Sequence, residues 1–168
     1  MGDRLKKNIQ KKNTQKKKVH RWEMHRKEIH RKDIHKKETP EKKVPEEWLY
    51  LAMGGVSLRD LYQCLKEEKG WKAEYWEAAE VLEISIPEAG SVDLEAMEAD
   101  PEDGELHSYM EETGAEKVYA VTVMPEYFEK AEAVMQHLVE KTGGIFCGDT
   151  EGFLPEIKAS GQDTDRKG

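Results

Sequence analysis

Three groups of residues in this chain have types and spacings that bear on chemistry. His20, His25, His30 and His35 recur at strict intervals of five within a basic segment. Zinc sites on helices place histidines four apart, typically as His-Glu-x-x-His. Five residues instead turn a helix about 140° past a full circle, and on a strand odd spacing sends successive copies to opposite faces. The four histidines therefore share no face of a regular element, and no metal site is expected.

The second group is Cys147-Gly148-Asp149-Thr150-Glu151, with His137 ten residues before the cysteine. A thiol beside an imidazole is a nucleophile–base pair, and the end of a strand is a common place for a site. The competing reading is structural. Cys147 alternates with Phe146 and fits a small core position, His137 lies next to the apolar stripe of a helix, and Asp149-Thr150 suits a turn.

The third group is cationic. Lys16, Lys17, Lys18, Arg21, Arg26, Lys27, Arg31 and Lys32 offer charge to a polyanion without base-reading geometry. Binding of nucleic acid through them would be sequence-independent and salt-dependent. Trp22 is the one aromatic among them, which is thin for base stacking. In the rest of the chain, Tyr75-Trp76 is a candidate interface anchor if exposed and a core pair if not.

Other signatures are missing from the sequence. Gly54-Gly55 and Gly143-Gly144 lack the spacing of a phosphate-binding loop, and no Gly-x-Ser-x-Gly elbow occurs. Cys64 and Cys147 are too few for a disulfide framework or a thiolate zinc site. No cofactor and no small-molecule ligand are predicted. The first residues have positive charge but no apolar run behind them, unlike a secretory signal, and no stretch has the apolar length of a membrane span. The sequence reads as a cytoplasmic protein.

These residues lie in two unlike regions. Residues 1–45 hold 17 Lys+Arg against 6 Asp+Glu, a balance of +11; the remainder holds 10 against 29, a balance of −19, and together they give the net −8. From Ile9 to Lys43 the chain runs in five-residue units, IQKKN, TQKKK, VHRWE, MHRKE, IHRKD, IHKKE and TPEKK. Stacking these units as a pentapeptide solenoid would bury Lys27 and Lys32 beside Ile29 and Ile34, at a cost the isoleucines do not return. The arm is expected to be disordered or partly helical, as is the tail from residue 159.

Residues 46–158 carry the periodicities of a folded acidic α+β domain, with a mixed sheet of about four to five strands and three packed helices. Glu47–Ala52 is a short apolar run. Ser57 and Asp60 form a capping box ahead of Leu58, Leu61 and Leu65 at helical spacing. Residues 73–79 are ambiguous. Val81–Ile86 alternates as a half-buried strand with Glu83 and Ser85 on its polar side, and Val92–Met97 is its return. Asp100-Pro101 predicts the start of a second helix, ended by Gly114. Lys117–Met124 reads as a central strand, Pro125-Glu126 opens a third helix, Ile145–Cys147 is a short strand, and Phe153–Ile157 is another candidate.

Function is expected in one of three forms. The first is a non-enzymatic protein-binding module, of the kind exemplified by small acidic inhibitors and immunity proteins, whose field steers a basic protein partner. The second is polyanion association through the arm, against which the acidic body works unless the body draws the arm back onto itself. The third is an enzyme using the Cys147–Asp149 region.

Overall fold

The computed structural model describes residues 44–161. The repeats from Ile9 to Lys43, their histidines and the eight candidate polyanion-binding cations lie outside the described residues, as do all but the first three residues of the tail.

Two-residue alternation determines most of the architecture. In β1 (Glu47–Ala52), Trp48, Tyr50 and Ala52 point to one side of a sheet while Leu49 and Leu51 point to the other, and all five are buried. Only a strand in the middle of a sheet, covered on both faces, has that pattern. β5 (Lys117–Val123) is its partner, with Tyr119, Val121 and Val123 on the first side and Val118 on the second. The remaining strands are β2 (Lys72–Trp76), β3 (Val81–Ser85), β4 (Ser91–Ala96), β6 (Ile145–Gly148) and β7 (Glu156–Ile157). Their spatial order is β2-β3-β4-β5-β1-β6-β7, and the pairings from β3 through β7 are antiparallel.

This corrects the expected mixed sheet of four to five strands: the sheet is antiparallel and has seven. The count differs because β2 lies in the ambiguous stretch and shows no clear period, while β7 falls at the end of the candidate run Phe153–Ile157. β5, the predicted central strand, is fourth of the seven.

Three helices flank the sheet: α1 (Leu58–Leu65), α2 (Gly104–Thr113) and α3 (Phe128–Thr142). The Ser57–Asp60 capping box is present and starts α1. The start of α2 differs from the expectation. Asp103 is its N-cap and accepts from the Leu106 N–H, whereas Asp100 accepts from the Glu102 N–H in the preceding turn. Two Asx-type acceptors three residues apart compete for the start, and the later one wins. Gly114 and Gly143 end α2 and α3 in the left-handed conformation that glycine adopts without steric cost.

The two sides of the sheet are packed unequally. α1 and α3 lie on the side of Trp48 and Tyr50. There Leu58, Leu61 and Leu65 meet Val134, Met135 and Leu138 over Leu82, Ile84, Val92, Leu94, Val121 and Phe146. Trp48 stacks on Phe128 with ring centroids 5.2 Å apart and donates its indole N–H to the Pro45 carbonyl at 2.8 Å. Among the described residues, α2 is the one helix on the opposite side, with Leu106 and Tyr109 over Leu49, Leu51, Val118, Ile145 and Cys147. Among the described residues, no helix is long and apolar enough to cross a membrane.

Candidate functional site

The second side of the sheet divides into an apolar half and an acidic half. Its apolar cluster reaches from β6 across β1 to Val118 of β5 and stops there. Beyond it the same side is formed by the outward positions of β3 and β4. Register sets them in rows. Glu83 lies opposite Asp93, Asp93 opposite Thr122, and Thr122 opposite Glu47, a line across four adjacent strands. In the next row Glu95 lies between Val81 and Ala120. Asp149, whose N–H donates to the Glu47 carbonyl, extends the first line past β6. Burial, followed by the nearby charges of Glu47 and Asp103, raises the Asp149 carboxyl above the usual carboxylate range. Like charges placed opposite each other on a sheet cost stability, about 0.2–1 kcal/mol per pair. Glu83 also accepts from the Ser85 hydroxyl at 3.4 Å.

The structure separates the residues of the proposed nucleophile–base pair. Cys147 points into the cluster under α2, on the second side. His137 is on α3, which packs on the first side. The sheet stands between them, because consecutive residues of β6 face opposite ways and it is Phe146 that meets α3. His137 instead lies 3.3 Å from the Glu68 carboxylate, a contact not aligned as a hydrogen bond, and its ring meets Trp71 in an edge arrangement with centroids 5.3 Å apart. Burial, reinforced by the negative charges of Glu156 and Asp149, pushes the Cys147 thiol up to about 12. A thiol held there is not a thiolate near neutrality.

Tyr75 and Trp76 are both half-buried on β2. Tyr75 packs at the margin of the main cluster, its ring tilted over Tyr62 at 6.3 Å. Among the described residues, Leu154, in the loop between β6 and β7, is the most exposed large apolar side chain.

The acidic rows are the feature that sequence reading missed. The outward positions of β3 were legible as polar, Glu83 and Ser85 among them. Their alignment with Asp93, Thr122 and Glu47 depends on strand order and register, which one sequence does not encode in any local pattern. No group of three or more His, Cys, Asp or Glu side chains among the described residues has the geometry to hold a metal ion. No family model, no curated protein and no solved structure matches the chain.

Proposed function

We propose that this chain is a non-enzymatic protein-binding module whose acidic sheet face receives a basic protein partner. The observation that carries the reading is the row Glu83, Asp93, Thr122, Glu47 with Asp149 beyond it, set across adjacent strands where no described helix contributes to a cluster. A sheet backbone fixes these side chains at strand spacing, so carboxylates from several strands are ordered in one line without a loop. Ordered carboxylates of one sign steer encounter and reject acidic partners. The separation of His137 from Cys147, and the raised thiol of Cys147, favour this reading over a cysteine nucleophile.

The test is binding of a fluorescent oligolysine peptide to the full chain, followed by anisotropy at low and high ionic strength. Glu83→Gln/Glu95→Gln is compared with Glu129→Gln/Glu132→Gln, an equal charge change on exposed positions of α3. Binding that weakens several-fold with the first pair alone supports the face. Equal weakening by both pairs would reduce the effect to net charge and sink the proposal.

A further inference from the structure

A second surface lies at the other end of β5, apart from the acidic rows, and its argument does not rest on them. The turn into α1, the end of β4, the start of β5 and one side of α2 enclose a cleft of about 620 Å³, within the size range of small-ligand sites. Leu58, Met97, Met110 and Val118 supply an apolar lining, and methionine side chains adapt to a flexible aliphatic chain.

The polar groups of the wall select the sign of a ligand. Three of its polar groups are directed at backbone carbonyls: the Lys117 ammonium donates to the Gly55 carbonyl at 3.1 Å, the Tyr119 hydroxyl donates to the Val56 carbonyl at 2.8 Å, and the His107 ring nitrogen Nε2 lies 3.1 Å from the Asp100 carbonyl. The start of α1, which also borders the cleft, offers nothing to an anion. Asp60 occupies it, held below the usual carboxylate range by the Ser57 hydroxyl and backbone N–H. The acceptors are in the opposite condition. Glu80, Glu98 and Glu116 all line the cleft and are exposed, and among the described residues none of their carboxylates has a hydrogen bond or ion pair. Glu80 is moreover held at φ 50°, a left-handed conformation costly for a residue with a side chain, while its carbonyl accepts the Ala96 N–H.

An apolar patch on Met97 and Met110, with three exposed carboxylates against one lysine in the same wall, complements one kind of molecule. We infer that this cleft binds an aliphatic chain ending in an ammonium or guanidinium group, with the stem over Met97 and Met110 and the cation at Glu80, Glu98 and Glu116. That chemistry occurs in free aliphatic diamines and in the lysine or arginine side chain of a protein.

The experiment titrates the full chain with agmatine, and separately with a blocked glycine–arginine–glycine tripeptide, following backbone amide NMR shifts. Saturable shifts at Ser57, Met97, Met110 and Lys117 are expected with at least one probe. Binding by agmatine alone assigns the site to free diamines; binding by the tripeptide, alone or as well, assigns it to a side chain. Glu80→Gln/Glu98→Gln/Glu116→Gln, substitutions at exposed positions, should weaken binding about tenfold or more. Methylammonium, which lacks the stem, should bind about tenfold more weakly still than agmatine if the apolar patch contributes. The inference is overturned if neither probe shifts these amides, if the triple variant binds as well as the parent, if methylammonium matches agmatine, or if Glu83→Gln/Glu95→Gln on the sheet face weakens binding as much as the triple variant. The last result would indict the general field, and it leaves the sheet-face proposal to its own oligolysine test.

Discussion

The two sides of the β-sheet are built from the same strands and obey opposite rules. One side is covered by α1 and α3, and nearly every inward residue from β3 to β7 belongs to a single apolar cluster. The other is apolar only beneath α2 and turns acidic over β3 and β4. The covered side spends its residues on stability. The second side places Glu83 opposite Asp93, which opposes Thr122 in turn, and this row of register partners is what the proposed recognition surface is built on.

Substitutions in the two clusters should show the contrast most strongly. Leu61→Ala, under both helices of the covered side, is expected to cost about 3–5 kcal/mol, and Leu106→Ala, beneath α2, about 2–3 kcal/mol, both from lost burial and an unfilled cavity. Denaturant unfolding measures both, and equal losses would erase the asymmetry. Gly144→Ala probes the same cluster by overfilling. A Cβ there would lie 2.3 Å from the Tyr50 hydroxyl and 2.5 Å from its ring carbon, and Tyr50 is fully buried and hydrogen-bonded to Thr142 at 2.5 Å. The expected loss is about 1–3 kcal/mol; an unchanged unfolding midpoint would show that Tyr50 moves freely.

Alkaline titration compares one buried group from each side. Burial raises the Tyr50 phenol from 10.0 to about 12 and the Cys147 thiol from 9.0 to about 12. Both are neutral when folded, and the unfolded chain loses these protons first. Their contribution is therefore complete below pH 9 and is lost as pH rises through 9 to 12 for Cys147 and 10 to 12 for Tyr50, on the order of 2–4 kcal/mol each. Tyr50→Phe should flatten the loss of stability above pH 10, and Cys147→Ala should flatten it from pH 9. A stability curve of unchanged slope in both variants would contradict the burial of these groups.

The smallest effects belong to the acidic side. Glu83→Gln removes a like-charge pair and should raise stability by about 0.2–1 kcal/mol at low salt, while lowering affinity for oligolysine. Asp149→Asn should act in the same direction. Its carboxyl is raised in the folded state, first by burial and then by the charges of Glu47 and Asp103, so ionisation opposes folding near neutrality, and added salt should shrink only the part of the gain due to those charges. Destabilisation by either substitution would mean that the rows are structural.

Much of the folded region was readable one residue at a time. The short apolar run of Glu47–Ala52, the Ser57–Asp60 box, the glycines after α2 and α3 and the apolar run of β5 are local signals, and each of these features stands where its signal put it. The signals failed where two local preferences competed, as at Asp100 and Asp103, or where no clear period showed, as in the ambiguous stretch that holds β2.

The sequence by itself determined which positions face inward and which outward, because periods of two and of 3.6 are properties of the backbone that side-chain polarity can follow. Only the tertiary structure decided which outward positions become neighbours. Glu83, Asp93, Thr122 and Glu47 come from four strands, His137 and Cys147 from two sides of one sheet, and Glu80, Glu98 and Glu116 from three separate segments. Pairing and register are settled by the summed packing of the whole sheet, in which a shift of one residue would send each buried side chain to the wrong side.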